Sequence, residues 1–201
     1  MPSQRHKPAG PTSEREIPDA VLDATRSAVL AVGVRRTTLT DVAKRAGVSR
    51  MTLYRLVPDV TTLILEVMSR EFATLLTDAE RAAARKKNAR ARLATTSVAV
   101  VRRLPDEALF RRVLDVDPEL LLPYLTDRIG TTQQIAMAHV RRMLADGQAD
   151  GSVRRGNLDV MATSLVVMAT PFVVSSRLLD GVGRDGVLTE LERAIDRWLA
   201  P

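Results

Sequence analysis

A short run of basic, hydroxyl and aromatic residues has the composition of a nucleic-acid-binding surface. Arg50, Thr52 and Tyr54 lie within five residues of one another, directly after Ser49. A guanidinium forms paired hydrogen bonds with a guanine edge, and hydroxyl groups bond readily to phosphate oxygens. The chemistry that this run predicts is recognition of DNA by hydrogen bonds.

The segments around this run have the pattern of two short helices joined by a tight turn. We predict helices over residues 39–46 and 50–56, with Thr38 and Ser49 as their N-terminal caps. Gly47 supplies the left-handed residue that ends the first of them. This helix-turn-helix presents the N-terminal end of its second helix outward, in the position from which such helices enter the major groove.

Residues 17–68 resemble the DNA-binding segment of the tetracycline-repressor (TetR) family of bacterial transcriptional regulators. The resemblance rests on the apolar stripe of a first helix predicted over residues 17–32 and on Thr37-Thr38, Asp41-Val42-Ala43, Ala46-Gly47-Val48-Ser49, Thr52-Leu53-Tyr54 and Pro58. Two positions depart from the family pattern: Val57 replaces an aromatic residue, and Val60 replaces a lysine that contacts phosphate. The remainder of the chain matches only in length and in helix number and placement.

The resemblance implies a role for each outward position of the two short helices. Arg50, Met51 and Thr52 would face base edges, and Thr40 would lie near a base or its phosphate. Four residues would approach the DNA backbone: Thr38, Ser49, Tyr54 and Arg55. The alternative for each is a helix cap or a solvated helix surface.

Positive charge is concentrated at the beginning of the chain. The 201 residues carry a net charge of +6, and residues 1–58 hold ten Lys and Arg against five Asp and Glu. A basic segment ahead of a nearly neutral remainder favours a polyanionic partner for that segment. Residues 1–16 are interpreted as a flexible arm, whose Arg5, His6 and Lys7 either enter a minor groove or are disordered.

Several other classes of protein are disfavoured. The chain has no cysteine and only two histidines, His6 and His139, so we predict no metal and no cofactor. It offers no nucleophile–base pair and no phosphate-binding loop, so we do not expect an enzyme. The longest uncharged run, residues 160–176, is short for a membrane span, and no secretion signal precedes it. We therefore expect a cytoplasmic protein with no membrane partner.

The rest of the chain is predicted to be helical throughout, because no alternating strand pattern occurs. The candidate helices cover residues 59–76, 89–103, 106–115, 118–129, 131–147, 157–179 and 187–199. The expected fold is all-α, with about nine helices in a three-helix head and a C-terminal bundle. The predicted division is an arm at 1–16, a helix-turn-helix DNA-binding domain at 17–62, and a ligand-binding and dimerisation domain at 63–201.

Two C-terminal helices have the apolar surface that a second subunit would cover. The segment 157–179 is apolar on nearly all sides, and 187–199 has one apolar seam opposite its charges. We expect a symmetric four-helix dimer interface that includes Leu165, Val173, Leu188, Leu191, Ile195 and Trp198. A monomeric bundle core is the alternative. A dimer would place two recognition helices about 34–36 Å apart on a palindrome.

Helices five to eight are expected to enclose a cavity for an apolar small molecule. The candidate lining residues are Phe110, Leu114, Leu121, Tyr124, Met137, His139, Met161, Met168 and Phe172. Such residues at helical spacing also form ordinary core, which is the alternative for each. His139, with Arg141 and Arg142 nearby, would be placed to orient an anionic group.

These observations support one leading hypothesis. The chain would be a homodimeric transcriptional regulator, a repressor, that binds a palindromic operator without ligand and is released by a small molecule. Its partners would be double-stranded DNA, a second copy of itself and an unidentified apolar effector. An effector-independent, dimeric DNA-binding architectural protein is the alternative.

Overall fold

The computed structural model describes residues 17–201. The predicted arm at 1–16, with Arg5, His6 and Lys7, lies outside the described residues. Residues 17–201 form helices and their connections, with no strand. The predicted all-α fold is confirmed.

Three helices form the head: α1 (Asp19–Val32), α2 (Leu39–Ala46) and α3 (Arg50–Leu56). Their apolar faces meet in a core built from Val21, Ala24, Ala28, Leu39, Val42, Ala43, Leu53 and Val57. Both predicted caps are present, since the Thr38 hydroxyl accepts from the N–H of Asp41 at 3.2 Å and the Ser49 hydroxyl accepts from the N–H of Thr52 at 3.0 Å. Gly47 is left-handed, with φ of 67°.

The helix α4 (Val60–Ala83) connects the head to the rest of the molecule. Asp59 caps it by accepting from the N–H of Thr62 at 2.7 Å. The helix continues to Ala83, beyond the predicted end at 76, and packs against α1 before it reaches the C-terminal helices. Leu63 is fully buried in the head core. One continuous rod therefore crosses the predicted domain boundary at 62/63.

Seven further α-helices form the C-terminal body. They are α5 (Ala89–Arg103), α6 (Ala108–Val116), α7 (Leu122–Thr126), α8 (Thr131–Ala149), α9 (Leu158–Val174), α10 (Ser176–Asp180) and α11 (Arg184–Leu199), with short 3₁₀ turns at Leu104–Asp106 and Pro118–Leu120. The described residues thus contain eleven α-helices, of which α7 and α10 have only five residues each. Segments predicted as single helices at 118–129 and 157–179 are divided, and each contains a proline that cannot donate a helical hydrogen bond.

The body core lies between α5, α8, α9 and α11. Leu93, Leu144, Leu165 and Leu188 are almost completely buried in it. A second apolar cluster joins the body to the head, where α1 and α4 pack against α6 and the residues that follow it. No helix among residues 17–201 combines the length and the apolar character needed to span a bilayer.

Candidate DNA-binding surface and ligand cavity

One side of α3 is buried in the head and the other side is open. Leu53 is fully buried, while its neighbours Met51 and Tyr54 are 69% and 56% exposed. Arg50 and Arg55 are also exposed. Because these large side chains stay exposed while Leu53 is buried, α3 has an outward face that is available to a partner.

The surface near α2 and α3 is rich in unpaired positive charge. Five exposed basic residues form no ion pair with an acidic residue of the described chain: Arg36, Lys44, Arg45, Arg50 and Arg55. The ion pairs of the head instead join α1 and the turn after it to α4 and to residues 117–119. The open cations are consistent with a polyanionic partner.

The hydroxyl groups proposed to approach DNA are already used in caps. The Thr38 hydroxyl donates to the Asp41 carboxylate at 2.6 Å, and the Ser49 and Thr52 hydroxyls lie 2.8 Å apart. Thr40 is half-buried on α2. A phosphate oxygen accepts, so a hydroxyl must donate to it. The Ser49–Thr52 pair keeps one hydroxyl hydrogen for that purpose, whereas Thr38 would have to turn its hydrogen away from Asp41.

The residues predicted to form the dimer interface lie inside the protomer. Five of the six are buried in the body core: Leu165, Val173, Leu188, Leu191 and Ile195. The sixth, Trp198, is half-buried beneath the guanidinium of Arg154, whose Cζ lies 5.0 Å from the ring centroid. Side chains with almost no exposed surface have none to bury against a second subunit. In this structure these five residues serve the protomer's own core, as does the single apolar seam of α11, and their place in a dimer interface stays a prediction.

A different apolar face of α9 points outward. Val160 and Val167 are 63% and 61% exposed, and Met168 and Pro171 are also exposed at matching helical positions. Leu178 of the separate helix α10 is 77% exposed. We call Val160, Val167, Met168 and Pro171 the outer face of α9.

A cavity of about 430 Å³ lies in the body beside α4. Its wall takes residues from α4 through α9, which is a wider range than the helices five to eight of the prediction. Exposed residues of the 125–131 segment form part of the wall, so the cavity reaches the surface there. Most of the wall is aliphatic, as in sites that bind small organic molecules.

Four of the nine predicted lining residues are part of this wall: Phe110, Leu121, Tyr124 and His139. The other five are elsewhere. Leu114 packs at the head–body junction, Met161 and Phe172 pack in or against the body core, and Met168 is exposed on the outer face of α9. Met137 lies near Thr163 of α9, 4.0 Å from its hydroxyl. None of these five lines the cavity in this structure.

Two residues that line the cavity each have a buried polar atom without a hydrogen-bond partner in the described chain. The atoms are Oγ1 of Thr96 on α5 and Nε2 of His139 on α8, and each has less than 1 Å² of exposed surface. Burial lowers the pKa of His139, an effect that Glu80 opposes and Arg142 reinforces. The imidazole is therefore neutral near pH 7.

The arginines expected beside His139 do not turn into the cavity. Arg141 forms an ion pair with Asp159 at 2.7 Å, and Arg142 forms one with Glu80 at 2.7 Å. Both arginines are about half exposed and neither lines the cavity. The prediction that they orient an anionic group inside it is wrong.

The cavity wall is tied directly to the head. Glu71 lines the cavity from α4 and forms an ion pair with Arg26 of α1. Asp117, only 2% exposed, accepts from the N–H of Val34 at 3.1 Å and pairs with Arg35 at 3.0 Å. These contacts join the turn after α1 to the segment that leads into the cavity wall.

Among residues 17–201, no three His, Cys, Asp or Glu side chains come together in a group that could hold a metal ion. The side chains gathered on α3 and in the cavity instead suit DNA contact and the binding of an organic molecule.

Comparison with known proteins agrees with this geometry. Residues 21–58 match the family described as bacterial regulatory proteins, tetR family. An HTH-type transcriptional regulator of Mycobacterium tuberculosis is 33% identical over 180 residues, which cover 89% of this chain and 92% of that protein. A regulator of Mycobacterium bovis matches equally well. The chain belongs to the TetR family of bacterial transcriptional regulators.

Solved structures share the fold of this TetR-family regulator. The transcriptional repressor QsdR of R. erythropolis has a TM-score of 0.70 at 19% identity, covering 90% of this chain and 93% of its own. RolR in complex with resorcinol has a TM-score of 0.64 at 14% identity, covering 90% and 86%. FadR of Bacillus subtilis in complex with stearoyl-CoA has a TM-score of 0.59 at 15% identity, covering 90% and 97%.

Sequence reasoning missed the part of the regulator's cavity that α4 and α5 supply. That part includes Leu65, Met68, Ser69, Phe72, Thr96 and Val100. The sequence contains a signal for it, because Ser69 and Thr96 are polar residues on otherwise apolar helix faces. The structure shows that both are buried. The Ser69 hydroxyl lies 3.1 Å from that of Thr132, whereas Thr96 stays without a partner.

Proposed function

We propose that this transcriptional regulator is a homodimeric repressor that binds a palindromic operator and leaves it when a small molecule fills the body cavity. The observation that carries the proposal is α4, which begins in the head core and forms one wall of the cavity. An occupant that displaces this helix also displaces the head. Residues 17–62 would then serve DNA binding and residues 63–201 effector binding and dimerisation.

The reading surface in this proposal is the outward side of α3. Arg50, Met51 and Thr52 would meet base edges, with Thr40 beside them. Thr38, Ser49, Tyr54 and Arg55 would hold the DNA backbone. Exposure and the absence of an acidic partner in the described chain support Arg50 and Arg55. A paired contact of Arg50 with guanine would contribute about 1–3 kcal/mol of discrimination per half-site.

The outer face of α9 is the proposed dimer surface. Exposed valine and methionine side chains on one face of α9 favour contact with another protein surface. A two-fold axis beside α9 would pair this face with its copy, as symmetric dimers do. The two α3 helices would then address adjacent half-sites of one operator.

The link from cavity to DNA runs through two groups of contacts in this proposal. Glu71 connects α4 to Arg26 of α1, and Asp117 holds the backbone of Val34. An effector that binds better when α4 or the 117–121 segment is shifted would stabilise the shifted head. Ligand-bound RolR and FadR show that the same fold accepts small molecules in other proteins.

The test combines a DNA-binding assay with a ligand screen. Gel shift on selected operator DNA should show specific binding by the wild type, loss in a variant with Arg50→Ala and Tyr54→Ala, and retention in Arg141→Ala, a surface control on α8. Compounds that raise the Tm of the protein should then release it from the operator. Specific binding that survives the double substitution would refute the reading surface, and compounds that bind without releasing DNA would favour the architectural alternative.

A further inference from the structure

The segment that precedes α8 forms part of the cavity wall at its opening. Residues 122–130, which we call the strap, contain α7 and the turn after it. Five of them line the cavity: Tyr124, Leu125, Arg128, Ile129 and Gly130. Leu125, Arg128 and Ile129 are exposed, so the strap lies where the cavity reaches the surface. A molecule that enters the cavity at this point has to pass the strap.

The strap packs only loosely against the body. None of its nine residues is buried, and three large apolar side chains in it stay exposed: Leu122, Leu125 and Ile129. The helix α7 packs chiefly against the 3₁₀ turn that precedes it. A segment with few buried contacts opens locally at a lower cost in free energy than the core does. The strap is therefore the part of the wall that moves most easily.

One side chain of α8 ties the strap to the body. Nε2 of Gln133 donates to the carbonyl of Tyr124 at 2.7 Å, and Oε1 of the same amide accepts from the N–H of Gly130 at 3.0 Å. Apart from backbone bonds at its two ends, the described residues show no other hydrogen bond or ion pair between the strap and the rest of the chain. The closed position of the strap thus depends on one residue.

The chain just before the strap is fixed to the head. Asp117 accepts a hydrogen bond from the N–H of Val34 at 3.1 Å, and Leu121 is buried at the head–body junction. Buried contacts therefore anchor the start of the strap, whereas the amide of Gln133 holds its second half. Loss of the Gln133 bonds would release the strap while residues 117–121 stay in place.

Gly130 is matched to the closed position of the strap. A Cβ at this residue would lie 2.6 Å from Cδ1 of the Tyr124 ring and 3.0 Å from Oε1 of Gln133. The ring therefore packs directly against the Gly130 backbone while the amide bonds are made. A side chain at position 130 would push the Tyr124 ring away from this position.

We propose that the strap moves outward to admit the effector to the cavity and that the side-chain amide of Gln133 is the latch that holds the strap closed. This inference rests on the proposed function, in which the cavity is the effector site. The latch bonds are made whether the cavity is empty or occupied. Their loss therefore raises the rates of entry and exit by the same factor and leaves the dissociation constant unchanged.

The experiment measures, by stopped-flow fluorescence, how fast the neutral dye 1-N-phenylnaphthylamine binds to and leaves the full-length protein. Gln133→Met removes both latch bonds and keeps a side chain of similar length. Both rates should rise by about five- to thirtyfold, the effect of one to two neutral hydrogen bonds, with an unchanged dissociation constant. Gln134→Met is the matched control, since Gln134 also lines the cavity but its side chain makes no hydrogen bond with the strap. Its rates should equal those of the wild type.

A second variant and a second readout test the same latch. Gly130→Ala should displace the Tyr124 ring and raise both dye rates as well. Amide hydrogen exchange over residues 122–130, followed by mass spectrometry without dye, should be faster in Gln133→Met than in the wild type and in Gln134→Met.

The outcomes separate the latch from the proposed function. Unchanged rates or unchanged exchange in Gln133→Met would overturn the latch while the cavity remains an effector site. A change in the exit rate alone would also overturn it, because Gln133 would then be a contact of the bound molecule. If both rates rise together but the dye does not release operator DNA, the latch stands and the effector role of the cavity fails. If neither the wild type nor the variants bind the dye, both proposals fail.

Discussion

Replacing Val167 with aspartate should separate the two subunits of the proposed dimer. Val167 is 61% exposed at the middle of the outer face of α9. Complete burial of a valine side chain is worth about 1.5 kcal/mol, so covering this exposed part contributes about 0.9 kcal/mol per subunit. Two-fold symmetry doubles the effect, which raises the dimer dissociation constant by about 20-fold before any charge is counted.

The carboxylates add to this loss, because two like charges would face each other near the symmetry axis with little water around them. Sedimentation velocity over a range of protein concentrations measures the dissociation constant directly. The control is Leu122→Asp, since Leu122 is 55% exposed but belongs to α7 rather than to the outer face of α9. At micromolar concentration, we expect the wild type and Leu122→Asp to be dimeric and Val167→Asp to be largely monomeric. A variant that dimerises as tightly as the wild type would show that the interface lies elsewhere.

Three further changes test the coupling, the buried histidine and the core. Asp117→Ala removes the charged acceptor of the Val34 N–H, so urea denaturation should show a loss of about 2 kcal/mol, and effectors should release DNA less completely. Burial lowers the pKa of His139 in the folded protein. The contribution of the neutral histidine to the free energy of unfolding is therefore present above about pH 6.5 and is lost as the pH falls below that value. The wild type should lose more stability on acidification than His139→Phe. A stability difference between the two that does not change with pH would contradict this. Gly147→Ala would place a Cβ 2.3 Å from Cγ2 of Val153. We expect this overlap to lower the Tm, although alanine favours helix more than glycine does. A higher Tm would show that Val153 moves aside at little cost.

The head could be predicted from the sequence because its signals are local. Caps at Thr38 and Ser49, a left-handed Gly47 and a fully buried Leu53 are fixed by residues a few positions apart. Local hydrogen bonds and helical periodicity determine such features without knowledge of the rest of the chain. The exposure of Met51 and Tyr54 follows from the same periodicity.

The dimer surface and the cavity depend on how distant helices pack, which periodicity does not define. The segment of α9 is apolar on nearly all sides, so its sequence does not say whether Leu165 or Val167 faces the protomer's own core. The structure puts Leu165 inside and Val167 outside. Residues separated by tens of positions, such as Thr96 and His139, meet in one wall only after α4, α5 and α8 have packed together.

Selection of bound sequences from random duplex DNA would show whether α3 reads an operator. We expect enrichment of a two-fold symmetric site whose half-site centres lie one helical turn apart, about 34–36 Å. We also expect Arg50→Ala to relax the preference at one position in each half-site. Enrichment of no sequence, or the same specificity with and without Arg50, would contradict the claim that α3 reads the operator.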